Sequence, residues 1–358
     1  GVDDDRNGFV DDIRGWDFTG GEDNDPYDCL GHGTLVSSVA GAASDNGIGV
    51  SGVSWGAKIL PLKVFPDSGF PSCNDATSSN IIEAINYAVL VATSTAHRNY
   101  TGRLVINMSL GGSVYSAAEQ SAVDWALANN IPVVAAKGNS KNSDPVYPSD
   151  YAGVIGVGAT DNTDSLAEFS NFGSGTDLVA PGVAIYGAKL GGGYGVQDGT
   201  SFSSPQAAAA VALVFSAKPS ATISEVDDIL FAGVDDLGAA GKDDVYGYGR
   251  LNLFKLMRMA RFGNVSDYDG AKESIAIPNP FKVSALSRVT FSVPDTIVGQ
   301  EPRVEIYDVS GMFIRELEGF SWDGTNQYGA KVATGIYLFE VSTSKGKARG
   351  RVIVDASD

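Results

Sequence analysis

Leu104-Val-Ile-Asn-Met-Ser109 is followed by Ala117-Ala-Glu-Gln-Ser-Ala-Val-Asp-Trp-Ala-Leu-Ala128 and then by Pro132-Val-Val-Ala-Ala136. The first and last are short β-branched runs, and the middle stretch carries apolar residues at helical spacing. Strand, helix and strand in so short a span imply two parallel strands joined by a crossover helix. The pattern extends in both directions. Between Lys58 and about Leu256, further strand candidates at 59–64, 154–159 and 178–180 alternate with helical stretches at 79–93 and 205–217. Ile81, Ile82, Ala84, Ile85 and Ala88 share one helical face. Such alternation predicts an α/β fold, a doubly wound and mostly parallel sheet covered on both faces.

Past Gly263 the character changes. Short strands are expected at 287–293, 303–309, 336–341 and 349–354, separated by the turn signals Asp308-Val-Ser-Gly311, Trp322-Asp-Gly324 and Ser344-Lys-Gly346. The expectation is an α/β domain over 1–265 and a small all-β sandwich over 272–358, with the boundary in the polar stretch 263–273.

Of the 358 residues 43% are hydrophobic and 19% charged, which is enough apolar material for a full core and excludes intrinsic disorder. The longest apolar run, 207–215, is less than half the length needed to cross a bilayer, so no membrane span is expected. A net charge of -18 argues against nucleic acid or an anionic membrane as partner. The charge is concentrated early: ten acidic residues fall in 1–28, beside only Arg6 and Arg14. The sequence opens on Gly1 with no signal-like segment, which reads as a processed or truncated piece of something longer. Two cysteines, Cys29 and Cys73, are too few for a zinc cluster or a disulfide scaffold and leave either one bridge or two buried thiols.

Three short segments carry chemistry. His32, one of only two histidines, lies in Gly31-His-Gly-Thr34 at the start of a helical stretch over 35–43. Ser201, in Gly199-Thr-Ser-Phe-Ser-Ser-Pro205, sits at the mouth of the helix that Pro205 opens, where free N–H groups favour developing negative charge. Asn139 ends the strand and turn Val133-Val-Ala-Ala-Lys-Gly-Asn139 and presents a side-chain amide. Acyl transfer needs a nucleophile, a base and donors aimed at the oxyanion, and these residues supply one of each. Taken singly they also read as a solvated histidine, a helix cap and a buried turn cap.

In this order the motifs resemble the subtilisin-like serine proteases. The resemblance covers most of 1–256 and adds Asn107-Met-Ser-Leu-Gly111, Asn46-Gly-Ile-Gly-Val-Ser-Gly52, Ala180-Pro-Gly182 and Gly247-Tyr-Gly-Arg-Leu-Asn252. It implies Ser201 as nucleophile, His32 as general base and Asn139 as oxyanion donor. Ser109, Leu110 and Gly111 would pair with an extended protein or peptide substrate as an added strand, and Ala135, Ala136 and Gly138 would line the pocket beside the scissile bond. Leu35 and Gln206 stand where the family usually has histidines, neither of them catalytic. The family's catalytic Asp ends an apolar strand upstream of the acidic opening. This chain has no such strand, since Asp3, Asp4 and Asp5 follow only Gly1 and Val2. The expectation is that the third triad member and its strand are missing from this chain, as in a truncated fragment or a nicked enzyme whose N-terminal piece is separate, with a true pseudoprotease as the alternative.

Asp3, Asp5, Asn7 and Asp11, with Gly8 at the sharp turn and Asp12 as a spare carboxylate, have the spacing of a calcium loop, although Arg14 stands where a bidentate Glu would be. The alternative is an acidic solvated turn. Similar loops occur in extracellular subtilases, which implies structural calcium here. The resembled fold also brings the loop holding Cys73 beside the part of the cleft near Cys29, which implies a disulfide between them. Asn279-Pro-Phe281, Val304-Glu-Ile-Tyr-Asp-Val-Ser-Gly311, Trp322-Asp-Gly324 and Val332-Ala-Thr-Gly-Ile-Tyr-Leu-Phe339 resemble, more loosely, immunoglobulin-like C-terminal modules of secreted bacterial proteins, of the flagellar hook-capping and type IX sorting kind. The combined expectation is a monomeric, secreted or cell-surface serine endopeptidase, with an N-terminal propeptide or a missing N-terminal fragment as its partner. Its rival is a catalytically inactive, calcium-stabilised surface-binding module.

Overall fold

The computed structural model describes residues 3, 8–10, 12–20, 23–44, 46–66, 76–93, 102–263, 274, 276–283, 287–293, 298–300, 302–308 and 312–356. Its contacts divide the chain into two compact units, Gly1–Val265 and Ser266–Asp358.

In chain order the first unit contains β1 (Trp16–Asp17), α1 (His32–Gly41), β2 (Leu62–Lys63), α2 (Ser78–Thr93), β3 (Ile106–Met108), α3 (Ala117–Ala128), β4 (Val133–Ala136), β5 (Ile155–Thr160) and β6 (Leu178–Pro181). These are followed by β7 (Ile185–Ala188), β8 (Tyr194–Gln197), α4 (Thr200–Ala217), α5 (Ile223–Ala232), β9 (Val234–Asp235), β10 (Arg250–Leu251) and α6 (Leu253–Phe262). The central sheet has the order β3-β4-β5-β6-β10-β9, parallel except for β9.

Side chains alternate across this sheet, as the strand period of two demands. Val134 and Val157 join Ala207, Ala210, Val211 and Val214 of α4 in one core. Val133 and Ala135 face the other way, onto Ile85 and Val89 of α2 and Val123 and Ala126 of α3. With β-branched and small residues on both faces, the strands are buried on both sides, and α4 lies close against the sheet because it offers alanines there.

Helix α4 starts at Thr200, five residues before Pro205, so the proline stands inside the helix and not in its first turn. Pro205 has no N–H to give the carbonyl of Ser201 four residues back. The hydroxyl of Ser109 donates to that carbonyl instead, at 2.7 Å. The backbone of Ser201 is thereby tied to the end of β3.

Strands β1 and β2 form a separate parallel pair. Leu62, Val64, Leu104 and Leu110 all pack on the aromatic cluster built on Trp16, Phe18 and Tyr87. Among the described residues no strand pairs with the outer side of β2 or of β3. No described helix is long and apolar enough to cross a membrane.

The second unit contains β11 (Ala276–Ile277), β12 (Phe281–Lys282), β13 (Val289–Phe291), β14 (Arg303–Asp308), β15 (Phe313–Leu317), β16 (Ser321–Trp322), β17 (Gly335–Thr343) and β18 (Gly346–Asp355). They make two sheets, β11-β13-β16 and β12-β18-β17-β14-β15. Phe281, Phe291, Trp322, Phe339 and Val352 share the core. The buried indole of Trp322 donates to the carbonyl of Thr325 at 2.8 Å, which satisfies its one polar atom.

Candidate active site

Ser201 lies in the first turn of α4, and its neighbours are fixed by hydrogen bonds between distant segments. Ser204 Oγ donates to Asn107 Oδ1 at 2.7 Å, Asn107 Nδ2 to Ser109 Oγ at 3.0 Å, and Ser109 Oγ to the Ser201 carbonyl. The Ser201 hydroxyl itself rests 3.4 Å from the carbonyl of Ser109.

Asn139 reaches this helix end from the turn after β4. Its Oδ1 accepts from the backbone N–H and from the hydroxyl of Thr200, both at 2.9 Å, and Thr200 Oγ1 accepts from the Gly138 N–H at 3.1 Å. Two donors on one oxygen settle which end of the amide is which. The carbonyl caps α4 and the NH₂ is left to the cleft, so Asn139 is a cap and an exposed donor at once, not the buried turn cap of the bland reading.

His32 is the first residue of α1. Gly31 before it has φ +81, and a Cβ there would press on Leu190 at 3.2 Å, so glycine is required for the turn. Asp28 caps the helix: it accepts from the N–H groups of Leu30, Gly31 and Thr34 and from the Thr34 hydroxyl, at 2.7 to 3.0 Å. Burial raises the Asp28 carboxyl, but these donors outweigh it and hold its pKa below the usual value. The His32 ring lies 5.8 Å from that of Phe202, the residue after Ser201. One side of His32 is open to solvent, yet partial burial lowers its pKa and the charge of Asp28 offsets only part of this. The structure therefore sets Ser201 and Asn139 on one pocket at the carboxyl end of β4, with the His32 ring beside Phe202 and without a hydrogen bond from His32 to Ser201. Residues 2–249 match the subtilase family over most of the first unit.

The chain belongs to the subtilase family of serine peptidases. It is 38% identical over 204 residues to the thermophilic serine proteinase of a Bacillus strain, covering 57% of this chain and 47% of that protein. It thus spans about half the length of that relative. Thermitase of Thermoactinomyces vulgaris is 35% identical over 210 residues, covering 59% of this chain and 70% of thermitase. A psychrophilic protease structure superposes with a TM-score of 0.60 at 32% identity, covering 66% of this chain and 83% of that one.

Beside Ser201 this subtilase has a pocket of about 340 Å³, walled by Leu110 and Gly111 on one side and by Ala136, Gly138 and Asn139 on the other. Ala135 does not line it. Strand alternation turns its side chain to the opposite face, where it is fully buried against α2 and α3. Ser109 meets the backbone of Ser201 and not the pocket. Sequence reading missed Thr200 and Asn171, whose Oδ1 accepts from Ser140 N–H at 2.7 Å and so holds the turn after Asn139.

Of the expected calcium ligands, Asp5, Asn7 and Asp11 lie outside the described residues, as does Cys73. Asp3 accepts from the Gly8 N–H at 2.9 Å, the tight turn such a loop needs. The buried Asp12 carboxylate accepts from the Tyr87 hydroxyl at 2.6 Å. Among the described residues no group of three His, Cys, Asp or Glu comes together to hold a metal.

Proposed function

We propose that this chain carries the nucleophile, base and oxyanion site of a secreted serine endopeptidase. Ser201 attacks the peptide carbonyl while His32 takes its proton and returns it to the leaving amine. The Asn139 NH₂ and the Ser201 N–H hold the oxyanion. The observation that carries this reading is the convergence of Asn139 and Ser201 on one pocket, with the amide locked in its donor orientation by Thr200.

The third member of the triad, in this reading, is a carboxylate on a strand outside these residues that enters between β2 and β3. Two features support it: the His32 imidazole makes no hydrogen bond among the described residues, and no described strand pairs with the outer sides of β2 and β3. Without that carboxylate the rate falls by about four orders of magnitude. The C-terminal strands act as an attachment or sorting module, and calcium on the 3–12 loop steadies the segment leading to His32.

The rival reading, an inactive surface-binding module, is favoured by the Ser201 hydroxyl turning to the Ser109 carbonyl and not to His32. A fluorophosphonate probe separates the two. Selective labelling that disappears in Ser201→Ala supports the peptidase, and no labelling above that variant, after an incubation long enough to register a rate about ten-thousandfold below that of a complete triad, refutes it.

A further inference from the structure

Lys137 is 1% exposed at the end of β4, next to Gly138 and Asn139. Its ammonium bonds both oxygens of Asp150 at 2.6 Å. Gly175 leaves room for the pair: a Cβ there would stand 1.9 Å from Asp150 Oδ1 and 2.8 Å from Lys137 Nζ. A buried ion pair is costly to desolvate and is weak evidence for stability, so its position calls for another account.

Asp150 supplies one. Its Oδ2 accepts from the Val146 N–H at 2.8 Å, and its own N–H donates to the Val146 carbonyl at 2.9 Å. Val146 lines the pocket beside Ser201. Its methyls wedge between the two walls, 2.7 Å from where a Cβ of Gly111 would stand and 3.3 Å from that of Gly138. A continuous path thus runs from the strand that carries the oxyanion amide, through Lys137 and Asp150, to the side chain that spaces the pocket walls.

We infer that the buried Lys137–Asp150 pair positions Val146 and so sets the width of the pocket that receives the acyl-side residue of a peptide substrate. Neither residue touches substrate. The inference rests on the peptidase reading.

The test uses the full chain. Binding of an N-acylated peptide acid is measured by calorimetry, and phosphonylation of Ser201 is measured with small and with aromatic fluorophosphonates. Lys137→Met with Asp150→Leu replaces the pair by apolar side chains, an exchange that commonly keeps the fold. It should weaken peptide binding roughly tenfold and change the small-to-aromatic ratio, with little change in the saturated rate for the small probe. Lys137→Met with Asp150→Asn keeps an acceptor for the Val146 N–H. It should recover part of the affinity, and it also serves if the first variant does not fold. In a Val146→Ala background, removing the pair should have much less effect, because the two act through the same side chain. Unchanged affinity and ratio in a variant that melts like wild type, or full additivity with Val146→Ala, would overturn the inference. Wild type that neither reacts nor binds peptide would instead overturn the peptidase reading, and the role of the pair with it.

Discussion

Replacing Thr200 by valine removes one hydroxyl from a site that is 0% exposed while keeping its shape. Two bonds go with it, one from Thr200 Oγ1 to Asn139 Oδ1 and one from Gly138 N–H to Oγ1. The Gly138 N–H, half-buried, loses its acceptor, which should cost about 1 kcal/mol of stability, the lower end of the range for an unsatisfied group. Asn139 Oδ1 keeps only the backbone N–H of Thr200, so its amide is free to rotate. Roughly 1 kcal/mol of oxyanion stabilisation should be lost, about fivefold in the rate of Ser201 phosphonylation. Serine at the same place makes the complementary change. Thr200→Ser keeps the hydroxyl and leaves a methyl-sized void, costing about 1 kcal/mol of stability with the rate within about twofold of wild type. Rates with the small fluorophosphonate and thermal midpoints on the three proteins complete the comparison. If both variants lose rate equally, or if valine keeps the wild-type rate, Thr200 does not hold the amide.

Asn139→Ala removes the donor itself and should slow phosphonylation by about 10²–10³; an unchanged rate would leave it as a helix cap only. The same reaction should rise with pH, because the neutral imidazole is the base, with a midpoint below the usual histidine value of 6.5. By linkage, the neutral His32 favours the folded state above about pH 6.5, and this contribution is lost as pH falls through the lowered folded pKa. A midpoint above 6.5 would contradict the burial argument. Calcium should raise the thermal midpoint, by about 2.7 kcal/mol of stability at a hundredfold excess over Kd, in wild type but not in Asp5→Asn with Asp11→Asn. Sodium at matched ionic strength should not substitute, and a double variant that keeps the full shift removes the loop from consideration. A Cys29–Cys73 bridge would close a loop of about 45 residues and stabilise by roughly 4 kcal/mol; two free thiols per denatured, unreduced chain would end that proposal.

Much of the fold was legible because periodicity is local. The helix expected at 117–128 spans those residues, and the one expected at 79–93 starts one residue earlier. Two strands come out shorter than their β-branched runs, since 104–109 becomes Ile106–Met108 and 59–64 shrinks to Leu62–Lys63 and pairs with β1, whereas 336–341 lengthens to Gly335–Thr343. Hydrophobic runs mark what is buried, whereas strand ends are set by which neighbour offers a hydrogen-bonding edge. The helix expected at 35–43 begins at His32, because Asp28 caps it from outside the apolar pattern.

For the site, the short motifs taken together and in order put forward Ser201, His32 and Asn139 as candidates, since residue type and immediate neighbours are enough to suggest a nucleophile, a base and an amide donor. Tertiary structure decided how they are held. That the Asn139 carbonyl faces Thr200, that Ser109 takes the carbonyl freed by Pro205, that Ala135 turns from the pocket and that Lys137 reaches Asp150 are results of packing. Three of these four join or separate residues on different elements. Thr200 stands 61 residues from Asn139, and Ser109 stands 92 from Ser201. No local pattern encodes such pairs, because the partner of a polar atom is chosen only when the sheet and its helices close and each buried donor must find the nearest acceptor.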